Sequence, residues 1–293
     1  MKKKLTNLIL VAVLLVGAGL LIYPSFSNYW NSFHQSRAIS SYVESVSTMS
    51  DDEYDELWAA ARAFNQRLVG RPPVSVLSDE EKAEYYSLLT VGGGGVMGYI
   101  NIPKLNVNLP VYHGTAESVL QVAVGHIEGT SLPTGDISTH CVLSGHRGLP
   151  SAKLFTDLNQ LEAGDIFILQ VLNDTLTYEV DQIRVVLPEE VDDLAIQEGW
   201  DLCTLVTCTP YGINSHRLLV RGRRIANLAA TYSLRVTAEA IRIDSLVVAP
   251  FAAMPMLLVL LVWMLAGGRK KPRTPRPPKQ EKPNESNERR DKA

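Results

Sequence analysis

Residues 204–222, TLVTCTPYGINSHRLLVRG, contain the pattern that most constrains the fold. Two runs of apolar and β-branched residues flank a segment that contains Pro210 and Gly212, two residue types that favour tight turns. The pattern predicts a β-hairpin with Cys208 at the end of its first strand and Arg217 early in its second. Either this is ordinary sheet that contains both residues, or the hairpin is half of an active site.

Similar short runs recur over residues 96–224 and predict a domain built of β-strands. Apart from the hairpin strands, the runs are VMGYINIP, VNLPVYHG, HCVLSGH, DIFILQVL and LTYEVDQIRVVLP. Strands this short and closely spaced are typical of a closed all-β barrel or of a sandwich. A helix is expected to interrupt them at residues 151–161, SAKLFTDLNQL, and residues 131–136, SLPTGD, are interpreted as a loop.

Residues 24–95 are predicted to form a helical extension. In residues 51–68, apolar side chains recur at helical spacing after an Asp-rich start. A second short helix is expected from Ser78, where the sequence Ser-Asp-Glu-Glu fits a capping box. The glycines at 92–95 lack the Lys-Ser/Thr of a phosphate-binding loop and are interpreted as a flexible joint.

Two uncharged apolar runs, residues 5–23 and 246–268, are each long enough to cross a bilayer, for which about 20 residues are needed. Three lysines precede the first run, and a basic, Pro-rich stretch follows the second. Because basic flanks prefer the cytoplasm, both termini are predicted to be cytoplasmic and the part between the two runs extracellular. Residues 225–245 would be a juxtamembrane stretch and residues 269–293 a disordered tail. The alternative for the first run is a cleaved signal peptide.

The charge distribution limits the range of partners. The formal net charge is −3, but between the basic ends, residues 5–268 contain 15 basic and 27 acidic side chains. A basic nucleic-acid-binding surface is therefore not expected on the exported domain.

The chain has 3 cysteines, so in an exported domain at least one thiol lacks an intramolecular partner. Cys141 and Cys203 are interpreted as small buried apolar residues. Cys203 and Cys208 are an odd number of residues apart, so in a regular strand they point to opposite faces and do not pair.

Cys208 is the candidate nucleophile, and a thiol needs a nearby acid or base, usually histidine. Of the 6 histidines, His146 is favoured because it ends a strand run between glycines in LSGHRG, with His216 and His140 as alternatives. Arg217 could stabilise the negative charge that develops on a carbonyl oxygen during acyl transfer. The alternative for Arg217 is a solvated strand arginine.

The segments MGYINIPKLNVNLPVYHGT, GHIEGTSLP, LSGHRGLPSAKLFTDL and TLVTCTPYGINSHRLLVRG resemble the class C sortases, which assemble pili, over about residues 96–224. The helical extension and the two hydrophobic segments at residues 1–23 and 246–268 are also similar to that class. The resemblance implies the eight-stranded sortase β-barrel. It also implies Cys208 as the nucleophile, His146 as the proton donor and acceptor, and Arg217 as the residue that stabilises the oxyanion.

By the same resemblance, the protein is a cysteine transpeptidase that cleaves LPxTG-like sorting signals between Thr and Gly. The acyl group is held as a thioester and then joined to a lysine amine of a pilin subunit. No cofactor or metal is implied. Many class C enzymes have a lid with an Asp-Pro-aromatic motif, but residues 66–95 contain no such triplet. A gate would therefore be built from other residues or be absent.

Three other functions stay open at this point. The chain could be a wall-anchoring sortase or an LPxTG hydrolase, or it could be a catalytically inactive membrane-tethered scaffold that binds pilins. A disulfide exchanger is disfavoured because the sequence contains no Cys-x-x-Cys pair.

Overall fold

The computed structural model describes residues 2–227 and residue 259. The predictions for the juxtamembrane stretch beyond residue 227, the second membrane segment and the tail lie outside the described residues. The helices are α1 Lys2–Ser47, α2 Asp51–Leu68, α3 Asp79–Ser87 and α4 Glu117–Leu120. The strands are β1 Val96–Ile102, β2 Val107–His113, β3 Val124–His126, β4 Thr139–Ser144, β5 Ile166–Val171, β6 Asp174–Val186, β7 Asp201–Thr209 and β8 His216–Ile225.

The strands form a closed barrel in the order β1-β2-β3-β4-β7-β8-β6-β5, which confirms the predicted eight-stranded barrel. Strands β2 and β3 pair in parallel, as do β4 and β7, and the remaining pairs are antiparallel. Alternate side chains fill the interior, among them Ile100, Phe167 and Leu205, each at 0% exposure. Closure leaves no free sheet edge, so the strand ends and their loops are where functional groups can be presented.

The helical extension agrees with the sequence prediction. Both α2 and α3 begin with a complete capping box, formed by Ser50 with Glu53 and by Ser78 with Glu81. The buried positions of α2 include Trp58, Ala61, Phe64 and Leu68, whose spacing of three and four residues places them on one face against the barrel.

The predicted helix at residues 151–161 is wrong. Only Leu158–Gln160 forms a short 3-10 helix, and the residues before it are turns. Leu154 has a φ of 37°, which a continuous right-handed helix cannot include. The amide of Phe155 donates to the carbonyl of His146 at 3.1 Å, a bond to another part of the chain in place of a helical one. The apolar spacing therefore reflects a loop whose side chains pack onto the barrel.

The first apolar run and the start of the helical extension, which the sequence separates near residue 24, form one continuous helix, α1. Pro24 lies within this helix. Within the part of the chain that the structure describes, one helix is long and apolar enough to cross a membrane, at Ile9–Ser47. Its far end is fastened to the barrel: the Tyr42 hydroxyl donates to the Met97 carbonyl at 3.0 Å and accepts from the Leu172 amide at 2.7 Å. Burial raises the pKa of Tyr42 well above its ordinary value, so it stays a neutral donor.

Candidate active site

The hairpin of β7 and β8 brings Cys208 and Arg217 together. They are directly opposite each other in the antiparallel register, one position from the pair formed by Thr209 and His216. Side chains of opposed residues on neighbouring strands stand on the same face of the sheet. The thiol is partly exposed, whereas Cys203 on the opposite face of β7 is fully buried. This confirms the prediction that the two cysteines, an odd number of residues apart, point to opposite faces of the strand.

The candidate His146 is brought to the same level by the parallel pairing of β4 with β7. Ser144 is opposite Val206, and beyond the end of β4 the Gly145 amide still donates to the Val206 carbonyl at 3.1 Å. The Thr207 hydroxyl donates to the Gly145 carbonyl at 2.7 Å. Extending this register by two residues puts His146 level with Cys208. The structure thus places all three predicted residues at one end of three neighbouring strands, β4, β7 and β8.

The imidazole of His146 has a carboxylate close by. Its Nε2 atom is 3.8 Å from Oε2 of Glu117, which is the first residue of α4. That distance is too long for a hydrogen bond but allows an ion pair when the imidazole is protonated. Nε2 is buried and has no hydrogen-bond partner among the described residues. Sequence reasoning missed Glu117, because no local pattern links it to His146.

Arg147 ties the loop after β4 to β7. Its guanidinium donates to Oγ1 of Thr209 at 3.0 Å and to Oδ1 of Asn159 at 2.9 Å. Next to it, Gly148 has a φ of +80°, and a Cβ atom there would be 2.8 Å from the ring of Tyr211. The loop that carries His146 is therefore packed directly against the turn that follows Cys208. Sequence reasoning also missed Arg147, although its position beside His146 was a usable signal.

The other buried histidines serve the structure. His113 and His126 end β2 and β3 and are buried. His140 is fully buried; its Nδ1 contacts the Ala195 carbonyl at 2.9 Å and its Nε2 contacts the Thr204 hydroxyl at 2.7 Å. Burial lowers the pKa of both His113 and His140 to about 4, so both are neutral at pH 7 and committed to fixed hydrogen bonds.

His216 is the remaining alternative acid or base at this end of the barrel. It is partly exposed, and its Nδ1 is 2.9 Å from the hydroxyl of Ser215. It is opposite Thr209 in the register, one position beyond Cys208, so its side chain points to the other face of the sheet. The geometry therefore favours His146.

Arg217 is held by the turn rather than by a carboxylate. Its guanidinium donates to the carbonyls of Asn214 and His216 at 3.2 and 3.1 Å. Among the described residues no Asp or Glu forms an ion pair with it, in contrast to Arg221, which binds Asp181 through two hydrogen bonds of 2.9 Å. A cation without a counter-ion next to a thiol can bind an anion that develops during a reaction.

The sheet face that carries Cys208 is apolar beside the thiol. Val142 of β4, Val206 of β7 and Leu219 of β8 form a buried cluster there, completed by Val186 and Leu194. Since Val206 is two residues before Cys208, the cluster begins directly next to the thiol. These five side chains are at most 7% exposed, so the cluster is an apolar lining beneath the segments that cover it.

Residues 69–77, called the strap here, cover part of that cluster. Val74 packs against it from the strap, whereas Val76 is 93% exposed. The strap is fixed by the Ser75 amide, which donates to the Gly129 carbonyl at 3.2 Å. Position 129 must be glycine for the strap to come this close, because a Cβ atom there would be 1.9 Å from the Ser75 carbonyl oxygen. The chain has no Asp-Pro-aromatic motif, but these residues occupy a position from which they can restrict access.

Replacing Val74 with aspartate is expected to increase the rate at which iodoacetamide alkylates Cys208 severalfold. A carboxylate does not remain in an apolar cluster, so the strap should detach and open the face beside the thiol. Val76→Asp is the matched control, because it adds the same charge to the same strap at an exposed position. Equal rates in both variants and the unaltered protein would show that the strap does not restrict access.

Comparison with known proteins agrees with this architecture. A family model described as the sortase domain matches residues 100–225. Sortase D of Bacillus subtilis is 30% identical over 135 residues, and the match covers 45% of this chain and 65% of sortase D. The chain thus spans slightly less than two thirds of that relative.

Solved structures match over a longer part of the chain. Sortase C1 from Streptococcus agalactiae has a TM-score of 0.64 and 49% identity, and the match covers 66% of this chain and all 100% of that one. Sortase C from Streptococcus pneumoniae has a TM-score of 0.59 and 43% identity, covering 65% and 97% of the two chains. With the barrel, the strand-end thiol and these similarities together, the chain belongs to the sortase family of cysteine transpeptidases.

Proposed function

We propose that this protein is a membrane-anchored sortase of the class C type that uses Cys208, His146 and Arg217 to polymerise pilins. It would cleave an LPxTG-like signal between Thr and Gly and join the threonine to a lysine amine of another pilin. The observation that carries the proposal is the opposed pair of Cys208 and Arg217, with His146 brought level with the thiol by the parallel register.

The proposed reaction has two acyl-transfer steps. The Cys208 thiolate attacks the threonine carbonyl, and the guanidinium of Arg217 stabilises the oxyanion that forms. Protonated His146 donates its proton to the departing glycine amine, which leaves an acyl-thioester on Cys208. A lysine amine then attacks the thioester, His146 accepts its proton, and the thiolate is released as the isopeptide bond forms.

Glu117 is close enough to His146 to form an ion pair with it at the step in which the imidazole carries a proton. Its carboxylate is 3.8 Å from the imidazole and is 73% exposed, so the attraction is modest and weakens with salt. The oxyanion would also be close to Arg217, whose donors are already oriented by two backbone carbonyls. These two hydrogen bonds hold the Arg217 guanidinium in place in the absence of substrate.

Replacing Arg217 with alanine is expected to lower kcat/KM for a signal peptide by about 10²–10³-fold, the usual effect of removing one oxyanion donor. The thioester with a bound peptide should still form slowly and be detectable by intact mass. Arg223→Ala is the matched control: Arg223 is on the same strand, exposed, and opposite Leu202 rather than Cys208. An equal loss in both variants would contradict a specific role for Arg217.

Two observations support pilins as substrates. The structures at 43–49% identity are C-type sortases, and the Streptococcus pneumoniae enzyme is described in terms of its pilin substrate specificity. The net acidic charge of the exported part also suits lysine-bearing partners. The alternatives are attachment of proteins to the cell wall, hydrolysis of the signal, and binding of pilins without catalysis.

Helix α1 supports a membrane location. It is long and apolar enough to span a bilayer, and the three lysines at its start favour a cytoplasmic N-terminus. The barrel would then be extracellular, and a second span at residues 246–268 would return the C-terminus to the cytoplasm.

The test is to incubate the full chain in nanodiscs with candidate pilins and to examine the products by mass spectrometry and denaturing gels. Covalent ladders joined through a lysine would support pilin polymerisation. Cleaved monomers without ladders would indicate hydrolysis, and transfer only to a wall-precursor amine would indicate wall anchoring. Binding with neither cleavage nor an adduct would support the scaffold.

A further inference from the structure

The part of α1 just beyond the expected membrane span has an exposed aromatic face. Phe26, Trp30 and Phe33 are spaced by four and three residues and therefore share one side of the helix. They are 61%, 55% and 56% exposed, and Tyr29 beside them is 68% exposed. The rings of Phe26 and Trp30 stack with their centroids 6.4 Å apart, so they form a continuous apolar surface.

The opposite side of the same helical segment is polar and holds the barrel. The Asn31 side chain donates to the Ser151 carbonyl at 2.8 Å, and the Lys153 amide donates to Oδ1 of Asn28 at 2.9 Å. One turn further on, Gln35 donates to the Val122 carbonyl at 2.7 Å. Because residues two apart on a helix differ by about 200° in direction, Asn28 points away from the side that carries Phe26.

These polar contacts reach both loops that carry residues of the candidate site. Ser151 and Lys153 belong to the loop that begins at His146, which the Phe155 amide closes by its bond to the His146 carbonyl. Val122 follows α4, whose first residue is Glu117. The same turns of α1 therefore carry the aromatic face on one side and contact the loops of the candidate active site on the other.

The length of uncharged sequence relates this level to the membrane. No Asp, Glu, Lys or Arg occurs from Leu5 to Ser36. As a continuous helix, these residues extend about 48 Å at 1.5 Å per residue. A hydrocarbon core is only about 30 Å thick, whereas a bilayer with its headgroups is about 40–45 Å thick. The uncharged stretch thus matches the whole bilayer, and its outer part corresponds to the headgroup layer, where aromatic side chains are enriched.

We propose that α1 passes through the outer headgroup layer at the level of Phe26, Trp30 and Phe33 with the aromatic face toward lipid, which holds the loop after His146 at the membrane surface. The occupant of this face is phospholipid. The loop would be about one helix diameter, roughly 10–12 Å, from the lipid-facing side. This placement rests on the membrane location in the proposed function but not on the proposed reaction.

The depth of Trp30 tests the first part of the proposal. A full-length variant with Trp58, Trp200 and Trp263 changed to phenylalanine leaves Trp30 as the only tryptophan. In vesicles of phosphatidylcholine and phosphatidylglycerol, Trp30 should be quenched by lipids brominated near the headgroup more than by lipids brominated near the bilayer centre. The matched control retains only Trp200, which is 46% exposed just before β7, at the opposite end of that strand from Cys208.

Quenching of Trp30 that exceeds that of Trp200 by about twofold or more is expected. Equal quenching would overturn the proposal. Quenching of Trp30 that appears only when the chain is ended at residue 245 would also overturn it, because the C-terminal apolar segment would then cover the aromatic face in place of lipid.

The position of the loop tests the second part. A fluorescent label at Ser151→Cys, in a Cys208→Ala background, should be quenched by a headgroup-attached quencher. The control label at Ile137→Cys is on a residue that is 74% exposed near the start of β4, the far end from His146, and should not be quenched. Asn28→Ala with Asn31→Ala should reduce quenching at residue 151 but not at Trp30. Equal quenching at residues 151 and 137 would contradict the placement of the loop.

Discussion

Replacing Cys208 with alanine is expected to abolish both cleavage of an LPxTG-like peptide and the covalent adduct, a loss of about 10⁴-fold or more, as for removal of other covalent nucleophiles. Cys208 is partly exposed at the end of β7 and opposite Arg217, whereas Cys141 and Cys203 are buried, so we expect the thioester to form on Cys208. Intact mass after incubation with the peptide is the measurement, since it detects the acyl-enzyme directly.

Cys141→Ala is the matched control for the loss of a thiol. Cys141 is 2% exposed and opposite Cys203 in the interior, so its removal should lower stability but leave the adduct on Cys208. Burial also raises the pKa of Cys203 well above its ordinary value, which makes it a poor nucleophile. An adduct that persists in Cys208→Ala and disappears in Cys141→Ala would contradict the assignment. Thermal unfolding of each variant separates loss of the nucleophile from loss of the fold.

Replacing His146 with glutamine is expected to lower kcat by about 10²–10⁴-fold, the range for removal of a general acid or base. Glutamine fills a similar volume and can donate a hydrogen bond, but it cannot transfer a proton to the leaving amine. The effect should be largest for substrates with a basic leaving group and smaller for an activated thioester. Single-turnover rates with both kinds of substrate provide the measurement.

His216→Gln is the control, because His216 is also at the active end of β8 but points to the other face of the sheet. Its replacement should change kcat less than about tenfold, as expected for a residue that does not transfer the proton. A large loss in His216→Gln with none in His146→Gln would reverse the assignment. If the His146→Gln variant is fully active with both substrates, solvent supplies the proton instead of His146.

Much of the architecture follows from local sequence. The capping boxes at Ser50 and Ser78 define where α2 and α3 begin, and these helices occur as predicted. The alternating apolar runs predict the longer strands. The three-residue strand β3, Val124–His126, was missed because so few residues give no periodicity, and its pairing with β2 and β4 defines it instead. The helix expected at 151–161 failed because apolar spacing does not distinguish a helix from a loop packed on a barrel.

For the candidate site, the sequence by itself identified the three residue types and the hairpin that opposes Cys208 to Arg217, since a short turn brings nearby residues together. It favoured His146 from its place between glycines at the end of a strand run, but left His216 and His140 as alternatives. The parallel pairing of β4 with β7, between segments about 60 residues apart, supports His146 over these alternatives. Only the tertiary structure shows four further contacts, those of Glu117, of the strap residue Val74, and of Asn28 and Asn31 in α1. Contacts of this kind depend on how the closed barrel packs against distant segments, and local sequence does not encode that packing.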